Sequence, residues 1–281
     1  MNIEDLLLNS DKLLALPEVA MRLQSLLQDE ESSIADIAEV VSLDPVLTSK
    51  LLKLANSAFY NFAAKIDTIP RAINIIGSDA VYSLALANST LETFNQVPSD
   101  VIDLESFWRQ SVDCALIAKQ LSRTVGNQNS ERLFVTGLLH NVGELICVLE
   151  LPEIAHQIAN VASPSQRIAR QKELLGFTYP QLTMEFMKLW RFPVEIYDVV
   201  GNINHPQKSQ FVKEAHLMAL AEKVASTLSD IPRSELSEIV TEEELTFLEI
   251  SLDEIVNALD YANLEAINVL SILSPQSMSI Y

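Results

Sequence analysis

Residues His140 and Asn141 are where this 281-residue chain comes nearest to chemistry. An imidazole can bind a metal or carry a proton. The adjacent amide can hydrogen-bond, but it holds no negative charge and is a poor partner for a hard divalent cation. His140 follows Leu138 and Leu139, which suits a neutral core histidine with one ring N–H bonded to a backbone carbonyl. The other histidines offer less. His205 and His216 lie without metal-motif spacing around Pro206, and His156 beside Gln157 is expected on the surface. Cys114 and Cys147 sit in apolar stretches with no histidine at a motif spacing, which predicts buried, reduced thiols and suits the cytoplasm. Six scattered glycines make no phosphate-binding loop.

The elements that must position these residues are helices. Ser33 with Asp36, Thr241 with Glu244 and Ser251 with Glu254 form capping boxes. Asp44-Pro45 places an N-cap before a proline at the first helical position. Ser78 can cap a further helix, and Ile255, Leu259, Ala262, Ala266 and Val269 share one face of a last long one. Strand signals are weak, because no Asn-Gly or Asp-Gly turn and no alternating β-branched run occurs. With 48% hydrophobic residues and few glycines, the composition predicts a compact all-α protein. The polar stretch 95–100 reads as a boundary, giving an N-terminal lobe over 1–97 and a C-terminal lobe over 98–281, with a frayed tail after Ser274. Trp108, Trp190, Phe107, Phe186 and Phe192 are expected to build the second lobe's core, and Asn56 to cap a helix beside Phe59 and Tyr60.

Charge excludes whole classes of partner. The formal net charge is −19, from 19 basic and 38 acidic side chains. Such a chain repels nucleic acid and anionic membrane surfaces. The surplus serves solubility first, with docking of a basic partner the sharper reading. No apolar run approaches the roughly 20 residues that span a bilayer, and the acidic start lacks the basic region of a secretory signal.

Two ordered blocks of residues resemble a known family. The first comprises Leu16-Pro17, Asp44-Pro45-Val46-Leu47-Thr48, Leu51 to Ser57 with its Leu-Ala-Asn-Ser end, and Ala72 to Gly77. The second comprises Phe107-Trp108, Gly137-Leu138-Leu139-His140, Gly143 and Leu189 to Pro193. Together they resemble the HDOD domain, the HD-related output domain of bacterial signalling proteins, over nearly the whole chain. The resemblance implies two packed helical lobes, the C-terminal one like HD phosphohydrolases. It also implies a signalling role exerted through other proteins, such as a kinase, a receiver or a cyclic-nucleotide enzyme.

An active HD site holds a first histidine, an adjacent His-Asp pair and a later aspartate around one or two metals. By resemblance those slots fall on Gln110, on His140 and Asn141, and on Glu222, with auxiliary slots near Tyr179 and His205. One imidazole and one carboxylate remain, fewer than the three protein ligands a catalytic metal usually takes. The expectation is therefore a non-catalytic module without a cofactor. Two alternatives stand beside it. One is a residual hydrolase holding a divalent metal on His140 and Glu222; the other is a small-molecule sensor using the degenerate pocket.

Overall fold

The structure is a computed structural model that describes residues 2–8, 10, 13, 16–57, 65–94, 97, 101–127, 129–161, 163–226 and 236–273. Phe59, Tyr60, the tail after Leu273 and most of the 95–100 connector lie outside the described residues. In chain order the helices are α1 (Ile3–Leu8), α2 (Glu18–Gln28), α3 (Ile34–Ser42), α4 (Pro45–Ala55), α5 (Ile69–Ile76) and α6 (Ser78–Phe94). There follow α7 (Leu104–Thr124), α8 (Ser130–Leu139), α9 (Val142–Glu150), α10 (Pro152–Ala159), α11 (Pro164–Leu175) and α12 (Tyr179–Leu189). The chain continues with α13 (Val194–Gly201), a 3₁₀ turn at Pro206–Lys208, α14 (Val212–Ala225), α15 (Leu236–Ile239), α16 (Glu242–Leu248) and α17 (Leu252–Leu273). No strand occurs among the described residues.

Two compact units result, and neither is contiguous in sequence. The larger comprises Met1–Leu14 with Gln96–Ala266, and the smaller Ala15–Asn95 with Ile267–Tyr281. A single cut after residue 97 therefore misses both ends. The physical reason at the N-terminus is an indole. Trp190 is 1% exposed, and its Nε1–H needs a buried acceptor. The Leu13 carbonyl supplies it at 2.7 Å, while Leu6 and Leu7 of α1 are buried and α1 packs on α12.

In the smaller unit the predicted caps form. Asp44 accepts from Val46 N–H at 2.9 Å and Leu47 N–H at 3.0 Å, and Ser33 and Asp36 cap each other's backbone. Asn56 ends α4, donating to the Leu52 carbonyl and both donating to and accepting from the backbone of Ile66. In the larger unit Phe107, Trp108, Phe186, Trp190 and Phe192 are all buried, with Phe107 edge-on to Trp108.

The larger unit is organised around α7, which α8 and α14 flank. The α7–α8 crossing is close because residue 137 is glycine. A Cβ there would lie 2.6 Å from the Ala115 Cα, and a backbone atom cannot yield. Residues 130–150 are apolar enough, by length and composition, to cross a membrane, with a mean hydropathy of 1.5. That window is split into α8 and α9 at His140 and Asn141, and 78% of it is buried within the unit, as a core element is.

One ion pair in this frame has an energetic consequence. Lys119 on α7 is fully buried, with Nζ 3.4 Å from Glu131 Oε1 on α8. Burial holds its ammonium down to about 6, against the attraction of Glu131 and with some help from Arg123. The unfolded chain then binds a proton that the folded chain does not, between about pH 6 and the ordinary lysine value near 10.4. Stability from this group therefore rises with pH across that window. In urea titrations at a series of pH values, the wild type should gain on Lys119→Met as the pH climbs from about 6 to about 10. A constant difference between the two proteins would contradict the burial argument.

Candidate functional site

His140 and Asn141 form the bend between α8 and α9, and the bend is held by bonds on both sides. His140 is 1% exposed, and its Nδ1 lies 2.7 Å from the Gly137 carbonyl oxygen. A carbonyl can only accept, so Nδ1 carries a proton directed at it. That Nε2 is buried and has no hydrogen-bond partner. Glu222 on α14 is half-buried and within electrostatic reach. Burial pushes its carboxyl above the ordinary range, and His140 pulls it part of the way back. Cys114 on α7 is buried, its thiol driven well up by burial, with Glu222 adding to the shift. Gln110 stands one helical turn before Cys114 on α7 and is half-buried.

The other side of the bend depends on a residue that sequence reasoning missed. Asn141 is the N-cap of α9, yet its side chain makes no capping bond. Thr183 on α12 does that work instead. Its Oγ1 accepts from the Gly143 N–H at 2.8 Å and faces the carbonyls of His140 at 3.2 Å and Tyr179 at 3.0 Å. A first-turn donor of α9 is thereby satisfied from another helix. Gly143 must be glycine, because a Cβ would run into the Tyr179 carbonyl and stand 2.9 Å from Thr183 Oγ1. Asn141 is left half-buried, with its amide uncommitted among the described residues.

The two auxiliary positions do not join His140. Tyr179 is buried, its N–H bonded to Gln171 Oε1 at 2.9 Å, and its hydroxyl interacts with the Cys147 thiol. Burial raises that hydroxyl far above the usual phenol value and pushes Cys147 up to about 11. Glu144 and Arg167 share this neighbourhood, where burial raises the Glu144 carboxyl and Arg167 opposes the rise. Glu144 was legible in principle, lying three residues after Asn141 and so on the same face of a helix. His205 is exposed, just before the 3₁₀ turn. His216 is half-buried against Phe247, and His156 is exposed with Nδ1 3.0 Å from Asn160 Nδ2.

The donor set can be tested against the divalent metals that HD chemistry needs. His140 Nε2 is a suitable single ligand, buried and unspent. Glu222 brings one carboxylate. Around them stand amides, and among the described residues no group of three or more His, Cys, Asp or Glu could hold a metal. The residues present do not fit a catalytic metal centre.

The Thr183 bond predicts a measurable cost. Thr183→Val keeps the shape and leaves the buried Gly143 N–H unpaired, which should lower unfolding stability by about 1–3 kcal/mol in denaturant titrations. Thr183→Ser should recover most of it. Equal stability of the valine variant and the wild type would show that the hydroxyl does not hold the bend.

Known proteins share this architecture. A Shewanella amazonensis SB2B protein, provisionally named a phosphohydrolase, aligns with a TM-score of 0.74 and 27% identity over 95% of this chain and 99% of its own. An HDOD domain protein of unknown function from Geobacter sulfurreducens aligns with a TM-score of 0.75 and 19% identity, over 99% and 97% of the two chains. An uncharacterised protein of Treponema pallidum (strain Nichols) is 23% identical over 152 residues, 54% of this chain and 29% of its own length. The chain thus spans less than a third of that relative. The family model of the HDOD domain matches residues 13–206, from before α2 to the 3₁₀ turn, and so takes in the bend at His140. With most of its length matched in this way, the chain belongs to the HDOD domain family.

Proposed function

We propose that this protein is a cytoplasmic signalling output module that acts by binding other proteins and does not hydrolyse phosphate esters at its His140 centre. The observation that carries the reading is the donor set around His140. His140 Nε2 is buried without a hydrogen-bond partner, Glu222 lies within electrostatic reach of that imidazole, and the residues at 110 and 141 are amides. Amides lend little field to lower the pKa of a bound water, which is what metal-assisted hydrolysis requires. Family membership supports the signalling half of the reading. A kinase, a receiver protein or a cyclic-nucleotide enzyme is the kind of partner such a module serves.

A residual metal-dependent hydrolase is the second reading. It is favoured by the unspent, buried Nε2 of His140 and by the phosphohydrolase name of the Shewanella protein. A turnover assay separates the two. Purified protein with Mn²⁺, Fe²⁺, Mg²⁺ or Ni²⁺ should release no p-nitrophenol above buffer from p-nitrophenyl phosphate or its bis ester. Metal-dependent turnover that disappears in His140→Ala would reverse the proposal in favour of the hydrolase.

A further inference from the structure

The family match ends at residue 206, and the most one-sided charge in the chain lies beyond it. No lysine or arginine follows Arg233, while ten aspartates and glutamates do. More than half of the net charge of −19 therefore arises in the last 48 residues. Within that stretch, Phe247 on α16 is 48% exposed, and it is the only aromatic among the exposed large apolar side chains of the described residues. Its ring leans on His216 of α14, with centroids 4.3 Å apart. Together with Glu242, Glu243 and Thr246 it walls a surface groove of about 470 Å³.

Most nearby acids have structural work. Glu244 pairs with Lys223 at 2.6 Å and caps Thr241, Glu254 caps Ser251, and Glu249 lies 3.4 Å from Lys213. Glu242 and Glu243 are different: both are exposed, and neither makes an ion pair or a side-chain hydrogen bond among the described residues. An apolar ring thus lies open to water beside two uncommitted carboxylates, and the nearby cations Lys223 and Lys213 are drawn to Glu244 and Glu249.

We propose that this groove docks a basic segment of another protein, an arginine-bearing stretch that covers Phe247 with an apolar side chain and pairs its guanidinium groups with Glu242 and Glu243. Arginine suits both surfaces, since its planar fork matches a carboxylate and its face stacks on an aromatic ring. Charge decides against the other occupants. A second copy of the chain, a nucleic acid and an anionic bilayer are all negative and are repelled. The inference rests on the proposed role in protein binding and places that role on a particular face.

The test uses the full chain and a fluorescein-labelled dodecapeptide of arginine, leucine and alanine, followed by anisotropy at low salt. Saturable binding is expected, and none with a peptide carrying glutamate in place of arginine. Phe247→Ala should weaken binding by about tenfold, and so, independently, should Glu242→Gln with Glu243→Gln. The pair Glu30→Gln and Glu31→Gln, two exposed acids in the smaller unit, should change it by less than about twofold. Thermal melts of each variant confirm the fold. No binding, equal weakening by both acid pairs, or binding of phosphatidylserine vesicles in place of the peptide would overturn the proposal. Such a failure with phosphoesterase activity still absent would discard this face alone, whereas turnover would discard the functional reading beneath it.

Discussion

A hydroxyl on α12 holds the bend on which the centre of this protein is built. Thr183 Oγ1 takes the Gly143 N–H and lies against the carbonyls of His140 and Tyr179, so a single side chain ties the end of α8, the start of α9 and the first turn of α12. The bond is possible only because residue 143 has no side chain to hold the helices apart. With Gly137 allowing α8 to lie against α7, two glycines and one threonine set where the His140 imidazole must point. Asn141 has no part in this. The frame of the centre is therefore independent of the residue that would give it chemistry, and the two can change separately.

The same geometry sets the state of the groups around the bend. The Nδ1–H of His140 is committed to the Gly137 carbonyl, and its other nitrogen is buried without a partner. The one carboxylate within reach is pushed toward its protonated form by burial. The cysteines are buried and their thiols raised. Under the proposed reading the chain works at its surface, the setting in which the exposed Phe247 and its uncommitted glutamates acquire meaning.

Local features were legible in the sequence because their physics is local. The capping boxes at Ser33, Thr241 and Ser251, the Asp44-Pro45 start and the Asn56 cap all involve partners within about ten residues, and all form. The buried tryptophans and phenylalanines were legible from their size and apolarity. What escaped was set by long-range packing. Thr183 lies 40 residues from Gly143, and the Leu13 carbonyl is 177 residues from the indole it serves. No spacing rule announces such bonds. Lys119 reads as an ordinary surface lysine until α8 covers it.

The central claim is that the helical frame around His140 is intact and that only charge and donor type keep a metal out. Calorimetric titration of Mn²⁺ into the wild type and into a Gln110→His, Asn141→Asp double variant tests it most directly. The account predicts no saturable heat for the wild type and stoichiometric binding once the imidazole and the carboxylate are supplied. Stoichiometric Mn²⁺ binding by the wild type, lost in His140→Ala, would contradict it.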